Sequence, residues 1–287
     1  MAVSNTLSKS QQRLGLTAYL TQDAVKNQIN SVVGGKDGQR FISSIISAVN
    51  TNPALQQCTN QSILSGALLG EALKLSPSPQ LGQFYLVPYE DKQRGKVAQF
   101  QLGYKGYIQL AIRSGQYKKL NVLAIKDGEL VRFDPLNEEI EVKLIENEEE
   151  REQAATVGYY AMFEYTNGFK KAIYWSKTKM EAHALKYSPG YKKDKEKGWN
   201  YTFWSKDFDG MAYKTMLRQL ISKWGIMSIE LTTAMDADMA VINEDGTKNY
   251  VETDDDNIID AEVTVIPEEP TQEPPEAPDA SAALFGN

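Results

Sequence analysis

Phe84-Tyr85-Leu86-Val87-Pro88-Tyr89 and Val97-Ala98-Gln99-Phe100-Gln101-Leu102 are two short runs of aromatic, aliphatic and β-branched residues, separated by the polar stretch Glu90 to Lys96. Apolar runs of this length around a polar turn predict a β-hairpin. The hairpin decides the fold because the period of the chain changes at Phe84. Before it the spacing is helical: Leu16, Leu20, Ala24 and Val25 within Leu16 to Val33; Phe41, Ile45, Ile46 and Val49; and Ile63, Ala67, Leu68, Ala72 and Leu75 within Gln61 to Leu75. Asn52-Pro53 stops the second of these and Pro77 and Pro79 end the third.

After the hairpin, Tyr104 to Arg113 reads as a helix stopped at Ser114-Gly115. Strands are expected at Asn121 to Lys126, Glu129 to Phe133, Ile140 to Ile145, Val157 to Tyr165 and Lys170 to Trp175, joined by Asp127-Gly128, Pro135-Leu136-Asn137 and Asn167-Gly168 in an antiparallel meander. Ser176 to Tyr187 is a helix with Ser176 as its N-cap, Ser188 to Asn200 a lysine-rich loop, and Asp207 to Trp224 the last strong helix. The fold class is therefore α+β: an antiparallel sheet and hairpins with packed helices. Residues 1–15 read as a flexible arm, 16–235 as the core domain, and 236–287, rich in acids and proline, as a disordered tail whose apolar end, Ala282 to Asn287, suits partner docking.

The net charge of −7 divides unevenly. From Asp236 onward there are 15 acids and one base; subtraction from 38 acids and 31 bases leaves 23 and 30, about +7, for the body. A basic body with an acidic tail points to a polyanionic ligand. One cysteine, Cys58, excludes an internal disulfide and multi-cysteine metal sites, and reads as a small buried residue. A single histidine, His183, excludes schemes that need two. No apolar run reaches the roughly 20 residues of a membrane span, and the polar start has no signal core, so a cytoplasmic protein with no membrane contact is expected.

Two regions carry the positive charge. Lys92 to Lys126 holds eight bases (Lys92, Arg94, Lys96, Lys105, Arg113, Lys118, Lys119 and Lys126) and no acid; on its helix, Lys105, Gln109 and Arg113 form a polar stripe opposite Tyr104, Tyr107, Ile108, Ala111 and Ile112. Lys186 to Lys223 holds nine bases against four acids, interleaved with aromatics. Lysines release counterions from phosphates and aromatic faces stack on any base, so the mixture suits single-stranded nucleic acid without a sequence code. Phe203, Phe208 and Trp224 are expected in the core and Trp199 and Tyr201 as stacking residues. Lys214 and Arg218, one helical turn apart, would follow adjacent phosphates. The expected DNA-binding set is Tyr104, Lys105, Tyr107, Gln109, Arg113, Trp199, Tyr201, Lys206, Lys214, Arg218 and Lys223.

The segment from Trp204-Ser205-Lys206-Asp207-Phe208-Asp209-Gly210 through Lys214 and Arg218 to Lys223-Trp224-Gly225 closely resembles the signature of the RecT family of phage single-strand annealing proteins. Gly103-Tyr104-Lys105-Gly106-Tyr107, continuing to Gly115, is similar to the family's other strong motif. The resemblance covers roughly Leu16 to Met235. It implies annealing of complementary single strands through a duplex intermediate, no nucleotide hydrolysis, no cofactor, and self-assembly into rings or helical filaments. It also implies cooperation with a phage exonuclease and a host single-strand-binding protein. Lys105, Arg113, Lys206, Lys214 and Arg218 match positions expected to face DNA.

Two rivals remain open. Asp134 followed by Glu141-Val142-Lys143 is similar to the carboxylate and lysine set of magnesium-dependent nucleases, and Asp207 with Asp209 offers another carboxylate pair. A structural phage protein that contacts DNA passively is the other. No Gly-x-x-x-x-Gly-Lys-Ser/Thr loop exists, which argues against an ATP-driven motor.

Overall fold

A computed structural model describes residues 15–91, 94–137 and 139–250. The N-terminal part is helical: α1 (Leu16–Leu20), α2 (Asp23–Val33), α3 (Gly38–Thr51), a 3-10 turn (Pro53–Gln57) and α4 (Asn60–Ala72). The single helix expected over Leu16 to Val33 is broken after Leu20, where the Thr21 hydroxyl turns back onto the carbonyls of Thr17 and Ala18. Ile63, Leu64, Ala67 and Leu68 of α4 are all buried, so this helix is enclosed by its neighbours. Cys58 is buried in the same core.

The hairpin is β1 (Phe84–Asp91) with β2 (Gly95–Leu102), paired from Phe84↔Leu102 to Asp91↔Gly95. α5 (Tyr104–Arg113) follows. β3 (Tyr117–Lys126), β4 (Leu130–Asp134), β5 (Glu139–Val142), α6 (Glu148–Gln153), β6 (Thr156–Tyr165) and β7 (Lys170–Ser176) complete the middle. The strands expected there exist, but they do not form a meander. β3 skips to β6, giving a sheet of order β3-β6-β7, while β4 and β5 form a separate hairpin. The buried Glu129 carboxylate explains the detour: it accepts hydrogen bonds from the backbone N–H groups of Lys126 and Ile145 and from Arg151, closing the base of the β4–β5 excursion.

α7 (Lys177–Tyr187) is capped by Ser176, as its sequence predicts. The segment expected to be a lysine-rich loop contains α8 (Pro189–Lys197), with Ser188 as N-cap, Pro189 in the first turn and Gly198 closing it at φ 70°. α9 (Phe203–Lys206) and α10 (Phe208–Trp224) follow, with Asp207 accepting from the Gly210 N–H at 2.9 Å as the cap of α10.

The fold continues beyond the expected limit at residue 235. α11 (Ile229–Ala237), β8 (Ala240–Ile242) and β9 (Lys248–Tyr250) extend it, and β8 joins β2 to give a second sheet of order β1-β2-β8-β9. Ala240, Val241 and Ile242 are buried, which is why a segment flanked by acids still folds. The rest of the expected tail, 251–287, and the arm, 1–14, lie outside the described residues, as does Lys92.

Two clusters make the core. One lies among α2, α3, α4, the first hairpin and β8; the other packs one face of β6, through Tyr159, Ala161, Phe163 and Tyr165, against Met180 and Ala184 of α7 and Ala212, Met216 and Leu220 of α10. α10 bridges both, since Leu217 and Ile221 belong to the first.

Candidate nucleic-acid interface

The first turn of α5 meets the second turn of α10. Tyr104 meets Tyr213 edge to face with ring centres 5.6 Å apart, and Tyr85 packs on Phe203 at 5.7 Å. α5 can approach this closely because of its motif glycines. A Cβ on Gly106 would lie 2.1 Å from the Gln83 carbonyl oxygen, so only glycine lets the helix sit against the start of β1. Lys105 is exposed beside the half-buried Tyr104, and Lys206 is exposed at the end of α9. Lys105, Tyr104 and Lys206, read from two distant motifs, are thus brought to one region.

Three expected site residues lie elsewhere or have other partners. Tyr107 is fully buried, so it cannot stack on a base and belongs to the core; burial, with Asp238 nearby, pushes its hydroxyl far above the ordinary tyrosine range. Arg113 donates to the Leu73 carbonyl at 2.7 Å and to its own helix at Gln109, tying α5 to the end of α4. Gln109 is exposed on the same stripe. Lys214 is buried, with its ammonium 2.9 Å from Oδ1 of Asp238, and is no longer available to phosphate.

Arg218 shares that carboxylate, 2.6 Å from Oδ2, but its side chain remains 40% exposed while that of Asp238 is wholly enclosed. The Leu102 N–H also donates to Asp238. One buried carboxylate therefore holds two cations, and the uncompensated positive charge falls on the one that reaches solvent. Asp238 is the residue that sequence reasoning missed, because it was counted with the acidic tail.

The aromatic pair Trp199 and Tyr201 is exposed, with ring centres 5.4 Å apart. Buried Asp194 holds their loop: it accepts from the N–H groups of Tyr201 (3.1 Å) and Thr202 (2.8 Å) and from the hydroxyls of Thr202 and Ser205. Burial acts to raise the Asp194 carboxyl, but these donors outweigh it and hold it below the ordinary range. Phe203 and Phe208 are half-buried; Trp204 takes the core place expected of Trp224, which is 37% exposed with Lys223 5.1 Å from its ring centre.

Of the carboxylates in the nuclease reading, Glu141 stands exposed on β5, and the other three are committed to structure. Asp134 accepts from the Leu136 and Asn137 N–H groups within its turn, Asp207 caps α10, and Asp209 accepts from the Tyr159 hydroxyl at 2.6 Å. Among the described residues, no three His, Cys, Asp or Glu side chains gather to hold a metal ion, and no helix is long and apolar enough to cross a membrane.

The α+β body, with two sequence-distant basic and aromatic motifs brought together where α5 meets α10, fits a single-strand annealing protein of recombination, the class that the family match gives. The RecT family model matches residues 39–256, and the chain belongs to the RecT family. It is 40% identical over 272 residues to the uncharacterized protein YqaK of Bacillus subtilis (strain 168), covering 91% of this chain and 87% of that one. To Protein RecT of Escherichia coli (strain K12) it is 27% identical over 225 residues, covering 77% and 79%.

Proposed function

We propose that this chain is an ATP-independent cytoplasmic protein that binds single-stranded DNA, assembles on it as a ring or helical filament, and anneals a complementary strand through a duplex intermediate. It supplies neither nucleophile nor energy source. Its partners are an exonuclease and a host single-strand-binding protein. The observation that carries the reading is the shared Asp238 carboxylate: Lys214 compensates it, and Arg218 is left oriented with a surplus charge that a backbone phosphate completes. Lys105, Lys206 and Lys223 extend the electrostatic path, and Trp199 with Tyr201 supplies a stacking ledge.

The test is annealing of complementary labelled oligonucleotides without nucleotide, first with a chelator and then with magnesium. Pairing in both conditions with intact strands is expected. Magnesium-dependent cleavage would instead support the nuclease, and binding without pairing the passive binder.

A further inference from the structure

By strand alternation, the face of the β3-β6-β7 sheet that carries Glu164 is turned away from α10, because the neighbouring Phe163 and Tyr165 pack in the core that α10 shares. On this outer face Lys119, Glu164 and Lys170 stand in one cross-strand row. Lys118 reaches the same carboxylate, so three ammonium groups lie 2.7 Å (Lys118), 3.4 Å (Lys170) and 3.9 Å (Lys119) from its oxygens. The Glu164 side chain is only 6% exposed, whereas the three lysines are 58%, 64% and 65% exposed. One carboxylate can compensate one ammonium, and the shortest contact assigns that role to Lys118.

Lys119 and Lys170 are therefore surplus cations held over a fixed, buried anchor. Around the edge, Lys171 lies 3.8 Å from the Trp224 ring centre and Lys223 5.1 Å from it. Three lysines thus share Glu164, which compensates one of them, while Glu139 and Glu141 of β5 line the groove farther along this face with Lys170 and Lys171. A bound anion would complete the Glu164 row. β3 and β7 flank β6, so the two lysine backbones stand about 10 Å apart, a span their flexible stems can close over one phosphate or open over two.

We propose that Lys119 and Lys170, organised by Glu164, form a second backbone-phosphate site for DNA, on the opposite face of the sheet from α10. This rests on the reading of the chain as a single-strand binder and makes the strand path continue around the sheet beyond Lys223. Glu164 acts as a positioning residue: it takes no part in contacting DNA and fixes the cations that do.

The experiment measures the salt dependence of binding of the full chain to a thymidine oligonucleotide. In Lys119→Ala/Lys170→Ala, Glu164 keeps Lys118, so the melting temperature should match wild type while the slope of log K against log salt falls by about 1.4, roughly 0.7 for each lost contact. An unchanged slope in the folded variant overturns the site. Glu164→Gln, assayed well below its melting temperature, should weaken binding even though it removes a negative charge; tighter binding would show that the lysines act through net charge alone and overturn the positioning role. A wild-type slope near zero would remove the single-strand reading itself.

Discussion

Lys214 and Asp238 are joined by a hydrogen-bonded ion pair of 2.9 Å across 24 residues of sequence, with 11% and 0% of their side chains exposed. The pair ties the middle of α10 to the junction of α11 and β8. Lys214→Met should therefore cost about 3 kcal/mol, the lower end for breaking a buried pair because Arg218 stays on Asp238. Its salt slope of single-strand binding should match wild type. A full melting temperature together with a reduced slope would return Lys214 to the DNA surface.

Arg218→Ala should behave in the opposite way. Its outer part is solvated and Lys214 remains to compensate Asp238, so stability should fall by about 1 kcal/mol. The salt slope should drop by about 0.7, and annealing at moderate salt should slow severalfold. Calorimetry and a fluorescence annealing assay on the same preparation separate the two effects.

Asp194→Ala removes the acceptor of four donors at the start of α9 and releases the loop that presents Trp199 and Tyr201. We expect a loss of about 2 to 3 kcal/mol from the donors left buried. Trp199→Ala, by contrast, should leave stability unchanged and weaken single-strand binding by about 1 to 3 kcal/mol with the salt slope unaltered, as stacking carries no counterion release. Intrinsic tryptophan quenching by a thymidine oligonucleotide reads both variants.

Much of the secondary structure was legible because its signals are local. Ser176 caps α7 and alternation in Phe84 to Tyr89 marks β1, whereas α4 stops at Ala72, ahead of the expected Leu75 and before Pro77, where Lys74 turns to φ 52°. What failed depends on distant partners. β3 pairs with β6 because Glu129 and Arg151 close off the intervening hairpin, and nothing near β3 encodes that choice. Helical spacing placed Lys214 and Arg218 on one face, but whether that face met solvent or Asp238 was decided by β8 docking on β2. Charge counting then hid Asp238, since one buried acid looks like any other in an acidic stretch.

His183 sits between the rings of Trp175 (5.3 Å) and Tyr187 (4.6 Å). Burial, and then the charge of Lys186, lower its pKa below the ordinary 6.5, so it is neutral at pH 7. A folded value below the unfolded one gives stability that is present above about pH 6.5 and is lost as pH falls through the folded value. The melting temperature should decline slightly more from pH 7 to pH 5 in wild type than in His183→Gln. Parallel curves would show that the imidazole is solvated in both states.

Two truncations separate folding from electrostatics at the C-terminal end. A chain ending at Met235 loses Asp238, leaving Lys214 a buried cation with no carboxylate, and loses β8 from the edge of β2; it should fail to fold stably. A chain ending at Tyr250 keeps every described element and sheds eleven acids and no base, the content of residues 251–287. It should melt like the full chain and bind single strands more tightly at low salt, because a tethered polyanion no longer competes with phosphate for the basic body. That gain should shrink as salt rises and screening shortens the reach of the acids. Equal affinities for the two chains at low salt would mean that residues 251–287 do not compete for the DNA surface, and a stable, annealing-competent chain ending at Met235 would refute the role given to Asp238.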